Sequence, residues 1–123
     1  MLSQNIYKEI GQTSEVLGAG PWEQVQLLFN KMKECLTAAK TAIEQEDLQT
    51  KITKITRTHD IVIYLKSCLD EKASPNLSER LEGIYKHLGR LLFEANVRNN
   101  IKPLDEALVI TDNLIVWWEK VQS

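Results

Sequence analysis

A chain of 123 residues, 43% apolar and 26% charged, has the composition of one globular domain, long enough to bury a core without disulfides or metal. Its formal charge of −2 provides no basic face for nucleic acid. The longest strongly apolar run, Leu114 to Trp118, falls far short of the ~20 residues that cross a bilayer, so membrane insertion is not expected.

The opening MLSQNIYKEIGQ has neither the basic region nor the apolar stretch of a secretory signal, and a cytoplasmic chain is expected. Residues 1–20 read as a short N-terminal appendage in which Ile6, Tyr7 and Ile10 form one apolar turn. Gly18-Ala19-Gly20 follows no strand and lacks the full GxGxxG spacing, so it reads as a linker.

Residues 21–123 carry four segments of helical periodicity. The first opens at Pro21, a residue suited to the first helical position. Its apolar residues Val25, Leu28, Phe29, Met32, Leu36, Ala39 and Ile43 recur every three or four positions. A polar stretch ends it, with Asp47 placed to cap the next helix. The second stripe is Leu48, Ile52, Ile55, His59, Val62, Leu65 and Leu69. Asp70 to Ser74 interrupt the pattern, and Pro75 restarts it. The third stripe is Leu77, Leu81, Ile84, Leu88, Leu91 and Ala95, widened by Tyr85 and Leu92. Asn99, Asn100 and Pro103 mark the third break, and the last helix runs from about Leu104 to Val121. No segment alternates with period two, so no strand is expected. Helices of about 20 residues, each ~30 Å long and joined by short loops, predict an all-α, antiparallel up-down four-helix bundle.

The stretch ALVITDNLIVWWEKV, Ala107 to Val121, is more apolar than a helix lying on a core requires. The last helix holds two stripes. Leu104, Leu108, Thr111, Ile115 and Trp118 form one; Ala107, Ile110, Leu114, Trp117 and Val121 form the other, turned by about 100°. The second helix adds Ile61, Tyr64 and Cys68 beside its main stripe, and the first adds Leu27. Periodicity alone fits this surplus equally to a helix buried on two sides and to a groove wall left for a partner.

No Ser/His/Asp or Cys/His set is apparent and no residues stand at metal-ligand spacing, so neither an enzyme nor a cofactor is expected. Cys35 and Cys68 read as small core residues. Four-helix bundles also serve as histidine phosphotransfer domains, which place an exposed histidine before a leucine and a Lys-Gly pair. His59 precedes Asp60-Ile61-Val62-Ile63 and lies in an apolar stripe, as a partly buried packing residue. His87 precedes Leu88-Gly89-Arg90-Leu91, misses the pattern too, and reads as a flank residue beside the core. Phosphotransfer and a self-associating module, with the surplus as a homodimer seam, stand as alternative functions.

NIYKEIGQTSEVLGAGPWEQVQLLFNKMKECLTAAKTAI, IVIYLKSCLD, and GIYKHLGRLLFEANVRNN with PLDEALVITDNLIVWWEKV stand in this order, and together they resemble the flagellar secretion chaperones of the FliS type. The first is similar to the family's tyrosine, variable stretch and helix ending in Ala-Ile. The second resembles its Ile-x-x-x-Leu-x-x-x-Leu-Asp. The third resembles its Leu-Tyr, Leu-x-x-Ala-Asn and terminal tryptophan region. The chain departs from the pattern at GPWEQ, in the glycine-free loop KASPNLSER, and at His59, where alanine is usual.

The resemblance implies a non-enzymatic cytoplasmic export chaperone, monomeric when free. Its partners would be the disordered C-terminal segment of flagellin, kept from polymerising early, and the flagellar type III export gate protein that receives it. The resemblance favours a client groove over a twice-buried helix. It makes Ile6, Tyr7, Leu27, Ile61, Tyr64, Ile110, Leu114 and Trp117 the candidate client-binding residues. It also implies that the N-terminal segment lies over a client groove.

Overall fold

The computed structural model describes residues 20–70, 72 and 74–122, so the expectations for Ile6, Tyr7 and Ile10 lie outside the described residues. Four helices follow one another: α1 (Pro21–Glu44), α2 (Leu48–Ser67), α3 (Pro75–Arg98) and α4 (Lys102–Gln122). No strand occurs among the described residues. The architecture is the all-α up-down bundle that the periodicity predicts. Each of α1 and α3 packs against both α2 and α4, with α3 the more loosely held.

Local chemistry sets each helix boundary. Pro21 starts α1 with a preset φ and no amide that would go unpaired. At its far end Glu46 turns left-handed, with φ of 58°. The Asp47 amide reaches back to the Ala42 carbonyl at 2.8 Å, and the Glu46 amide to Ile43 at 3.1 Å. That pair of bonds satisfies carbonyls the helix end would otherwise strand. Asp47 then caps α2, its carboxylate accepting from the Thr50 amide at 3.2 Å and the Thr50 hydroxyl at 2.6 Å. These bonds hold the Asp47 carboxyl below the usual carboxylate range. Pro75 starts α3, and the Ser78 hydroxyl donates to the Asp70 carbonyl at 3.0 Å, tying the preceding loop to the first turn. α3 ends at Asn99, also left-handed. The Asn100 side chain accepts from the Lys102 amide at 3.0 Å, which starts α4 slightly before the expected Leu104 and places Pro103 in its first turn.

Phe29, Met32 and Leu36 of α1 meet Leu88 and Leu92 of α3 and Leu104 of α4 in a core closed to solvent. Ala39, Ala95 and Ala107 are all 0% exposed; such small side chains let neighbouring backbones approach closely. Burying each large residue contributes about 1.5–3 kcal/mol, so three or four of them match the net stability of a small domain.

The α2 face differs from expectation. The helix turns Lys51, Ile55, Thr58, Ile61, Val62 and Leu65 inward. Leu48 and Ile52 are half exposed, and His59 is exposed instead of partly buried. Two polar residues on the inward face concealed it. The Thr58 hydroxyl donates to the Lys54 carbonyl at 2.9 Å, so it buries without an open donor. Lys51 lays its stem across the core and bonds the Asn96 carbonyl at 3.0 Å and the Asn99 side chain, placing its charge at the C-terminus of α3. Cys35 is buried, and desolvation raises its thiol pKa. Cys68 is exposed rather than core, because it caps α2 from just beyond the helix.

The tryptophans gather at one end. Trp22 stacks on Trp118 at 4.4 Å, Phe29 meets Trp118 edge-on at 6.2 Å, and Trp117 lies 5.7 Å from Trp118. The Trp118 indole donates to the Trp22 carbonyl at 2.8 Å, clasping the start of α1 to the end of α4. Farther along that seam, Lys33 pairs with Asp112 at 2.9 Å and Lys40 with Asp105 at 2.8 Å.

Candidate binding groove

α4 solves its apolar surplus differently from either predicted stripe. Its inward face is Leu104, Ala107, Thr111 and Leu114, all at most 4% exposed, which runs along the boundary between the two stripes. Thr111 is accommodated by donating to the Ala107 carbonyl at 2.8 Å. The outer members of each stripe become half-buried flanks. Trp118 leans towards α1 through its ring contacts, whereas Ile110 and Trp117 face α3.

Between α3 and α4 lies a groove of about 590 Å³. Leu77 and Ile84 of α3 and Ile110, Leu114 and Trp117 of α4 supply its apolar lining, with Arg80, His87 and Asn113 also lining it. Gly83 keeps the wall low: a Cβ there would meet nothing within 4 Å. From Leu77 to His87 the groove follows α3 for about 15 Å, the length of a three-turn helix. The His87 Nε2 lies 2.8 Å from the Glu106 carboxylate, so a bridge between α3 and α4 bounds one end.

At the other end Leu77, Leu81 and Trp117 also line a smaller cleft of about 230 Å³. That cleft reaches Val25 and Phe29 of α1, Leu65 of α2 and Tyr85 of α3. Burial, with a lesser contribution from Cys68, pushes the Tyr85 phenol far above its ordinary pKa and keeps it neutral. The resulting surface is an apolar trough rimmed by polar groups, suited to the apolar face of an amphipathic helix.

The predicted client-binding residues separate on this surface. Ile110 and Trp117 stand half-buried in the groove, and Leu114 forms its closed floor. Leu27 and Tyr64 are half-buried and belong to neither cavity. Ile61 is buried at 2% exposure, on the α2 face that also turns Thr58 inward. Ile6 and Tyr7 lie outside the described residues. Leu77 and Ile84, seven residues apart on one side of α3, read as core in the sequence; Leu77 is 43% exposed. The glycine beside Ile84 was the sequence signal of an open wall. No group of three or more metal-binding side chains occurs among the described residues, and none of the described helices is long and apolar enough to cross a membrane.

Comparison with known protein sequences identifies a family. The profile of one family, the flagellar protein FliS, matches residues 3–123. The flagellar secretion chaperone FliS of Bacillus subtilis is 29% identical over 100% of this chain and 91% of its own. Its counterpart in Vibrio cholerae is 26% identical over 97% of this chain and 88% of its own. That of Salmonella typhimurium is 25% identical over 94% and 86%, respectively. The match runs from the N-terminal segment through all four helices, and the chain belongs to the FliS family of flagellar secretion chaperones.

Proposed function

We propose that this chaperone binds the C-terminal segment of flagellin, disordered in the free subunit, and holds it as an amphipathic helix in the α3/α4 groove. The observation that carries the reading is the open apolar trough in a chain of this family: Leu77, Ile84, Ile110 and Trp117 face one another with no segment of the described residues between them. A disordered client gives up conformational entropy on docking, so its net affinity per unit area is modest and it can be released. Binding in the cytoplasm withholds the segment from polymerisation. Release at the export gate protein then returns it for secretion. No catalytic step and no cofactor enter this cycle.

The direct test is capture of a labelled flagellin C-terminal segment by the purified chain, with sedimentation run alongside. Saturable one-to-one binding by a monomer supports the reading. A permanent dimer that ignores flagellin would replace it with self-association. Phosphoryl transfer to His59 or His87 would replace it with a phosphotransfer role.

A further inference from the structure

The loosely held helix α3 borders a second hollow, on its α2 side, that the flagellin reading does not use. It measures about 540 Å³ and runs along α3 from Lys86 to Arg98, with His59 of α2 on the opposite wall. The rise from Lys86 to Arg98 is about 18 Å, again a match for three turns of a partner helix. Its apolar content stands in the open: Phe93 is 71% exposed and Val97 62%. The two side chains stand one turn apart on α3, a contiguous apolar patch beside the hollow. Gly89 deepens the hollow, since a Cβ there would meet nothing within 4 Å.

The charges around this hollow differ from those on the α1/α4 seam. On the α1/α4 seam Lys33 and Lys40 are matched to Asp112 and Asp105. Around Phe93, Lys86, Arg90 and Arg98 form no ion pair with any described residue. Glu94 stands four positions from both arginines, a spacing that permits pairing, and it pairs with neither. Three unmatched cations around exposed aromatic and aliphatic groups call for acidic groups beside an apolar stripe.

We infer that the α2/α3 face is a second docking surface, which takes an acidic amphipathic helix of a partner protein other than the client. Its apolar stripe covers Phe93 and Val97 while its carboxylates meet Lys86, Arg90 and Arg98. The inference is independent of what the α3/α4 groove holds. Two other occupants fit less well. An anionic bilayer is bound by clusters of about four to eight cations on an outward-facing surface, whereas three cations and a carboxylate here surround a hollow. A second copy of this chain would offer the outer face of α4, with Val109 and Val116 exposed, but its Asp105 and Asp112 are already held by lysines of α1.

The test uses the full chain and a fluorescent synthetic peptide about four turns long, with leucines at helical spacing flanked by glutamates. A matched peptide carries lysines in place of the glutamates. The acidic peptide should bind, weaken as salt is raised, and lose about tenfold in affinity with Phe93→Ser or Arg90→Glu. Both positions are exposed, and thermal melts of the variants should overlay the parent. Binding of the flagellin segment should be unchanged in both. Equal binding of the two peptides, or affinity indifferent to both substitutions, would overturn the inference. So would loss of flagellin binding in Phe93→Ser, which would make the face part of the client site. Two further results would overturn it: Phe93-dependent sedimentation with phosphatidylserine vesicles in the absence of peptide binding, and self-association abolished by Phe93→Ser.

Discussion

Placing aspartate at Ile110 distinguishes a groove wall from a core. The side chain is half-buried in the free protein, with Leu114, 4% exposed, one turn farther along the same helix. Full burial of an isoleucine contributes about 1.5–3 kcal/mol, so losing its partial burial costs about 1–2 kcal/mol and lowers the melting temperature by roughly 4–8 °C in a domain of this size. The new carboxylate keeps its water on the open side. At Leu114 the cavity costs about 2–5 kcal/mol and an enclosed carboxylate several more, which consumes the stability of a typical domain. Binding should reverse the order of harm. A docked client covers position 110, and stripping water from the carboxylate costs several kcal/mol, about 100-fold or more in affinity. Ile110→Asp and Trp117→Asp should therefore fold and fail to bind the flagellin segment. Leu114→Asp should unfold, and Trp118→Asp, which loses its ring contacts and its bond to Trp22, should melt well below the parent. Circular dichroism melts and fluorescence anisotropy read the two effects separately. Ile110→Asp melting as low as Leu114→Asp would make the wall core, and parental affinity in that variant would refute the assignment of the groove.

Other expectations concern the frame that holds the groove. Lys51→Met should cost about 1–3 kcal/mol in urea titrations, because the Asn96 carbonyl and the Asn99 side chain lose their donor; a change below ~0.5 kcal/mol would mean that desolvating the ammonium offsets its bonds. Glu46→Gly should stabilise by up to about 1 kcal/mol, since glycine adopts the left-handed turn after α1 without the Cβ penalty; a destabilised variant would locate the strain elsewhere. The lowered Asp47 pKa adds stability that is complete above the ordinary carboxylate range and is lost as pH falls through and below it. Asp47→Asn keeps a cap without that titration, so an unchanged acid slope in the variant would remove Asp47 as its source. Deleting residues 1–17 should leave the melt intact, raise binding of an apolar dye and change flagellin affinity; unchanged dye and affinity would remove any covering role from the segment.

The sequence exposed α1 and α3 well because their inward residues are nearly all apolar, from Leu28 to Ala39 and from Leu81 to Ala95. α2 was harder to read. Its true face passes through Lys51 and Thr58, and a hydropathy pattern registers their polar ends without the internal bonds that satisfy them. Leu48, Ile52 and His59 continued the false stripe one position away. In α4 the width of the apolar arc was legible, and it led to Ile110 and Trp117. Its centre was not, because two stripes of similar apolarity lay side by side and the buried line, Leu104, Ala107, Thr111 and Leu114, takes members from both. The opposite wall, Leu77 and Ile84, was illegible for a different reason: periodicity shows which way a side chain points from its own axis, not how far away the next helix stands.

The three tryptophans lie within one cluster at a single end of the bundle. Intrinsic emission from this protein is therefore a local signal. The bond from Trp118 to Trp22 joins positions 96 apart, so its formation closes nearly the whole chain into a loop. Contacts of such long separation form at a high entropic cost and are slow relative to helix growth. In a refolding experiment, ellipticity would register helices while tryptophan emission registers the meeting of the bundle's two ends. The same cluster borders the mouth of the groove through Trp117, so its emission also offers an unlabelled optical record of docking there.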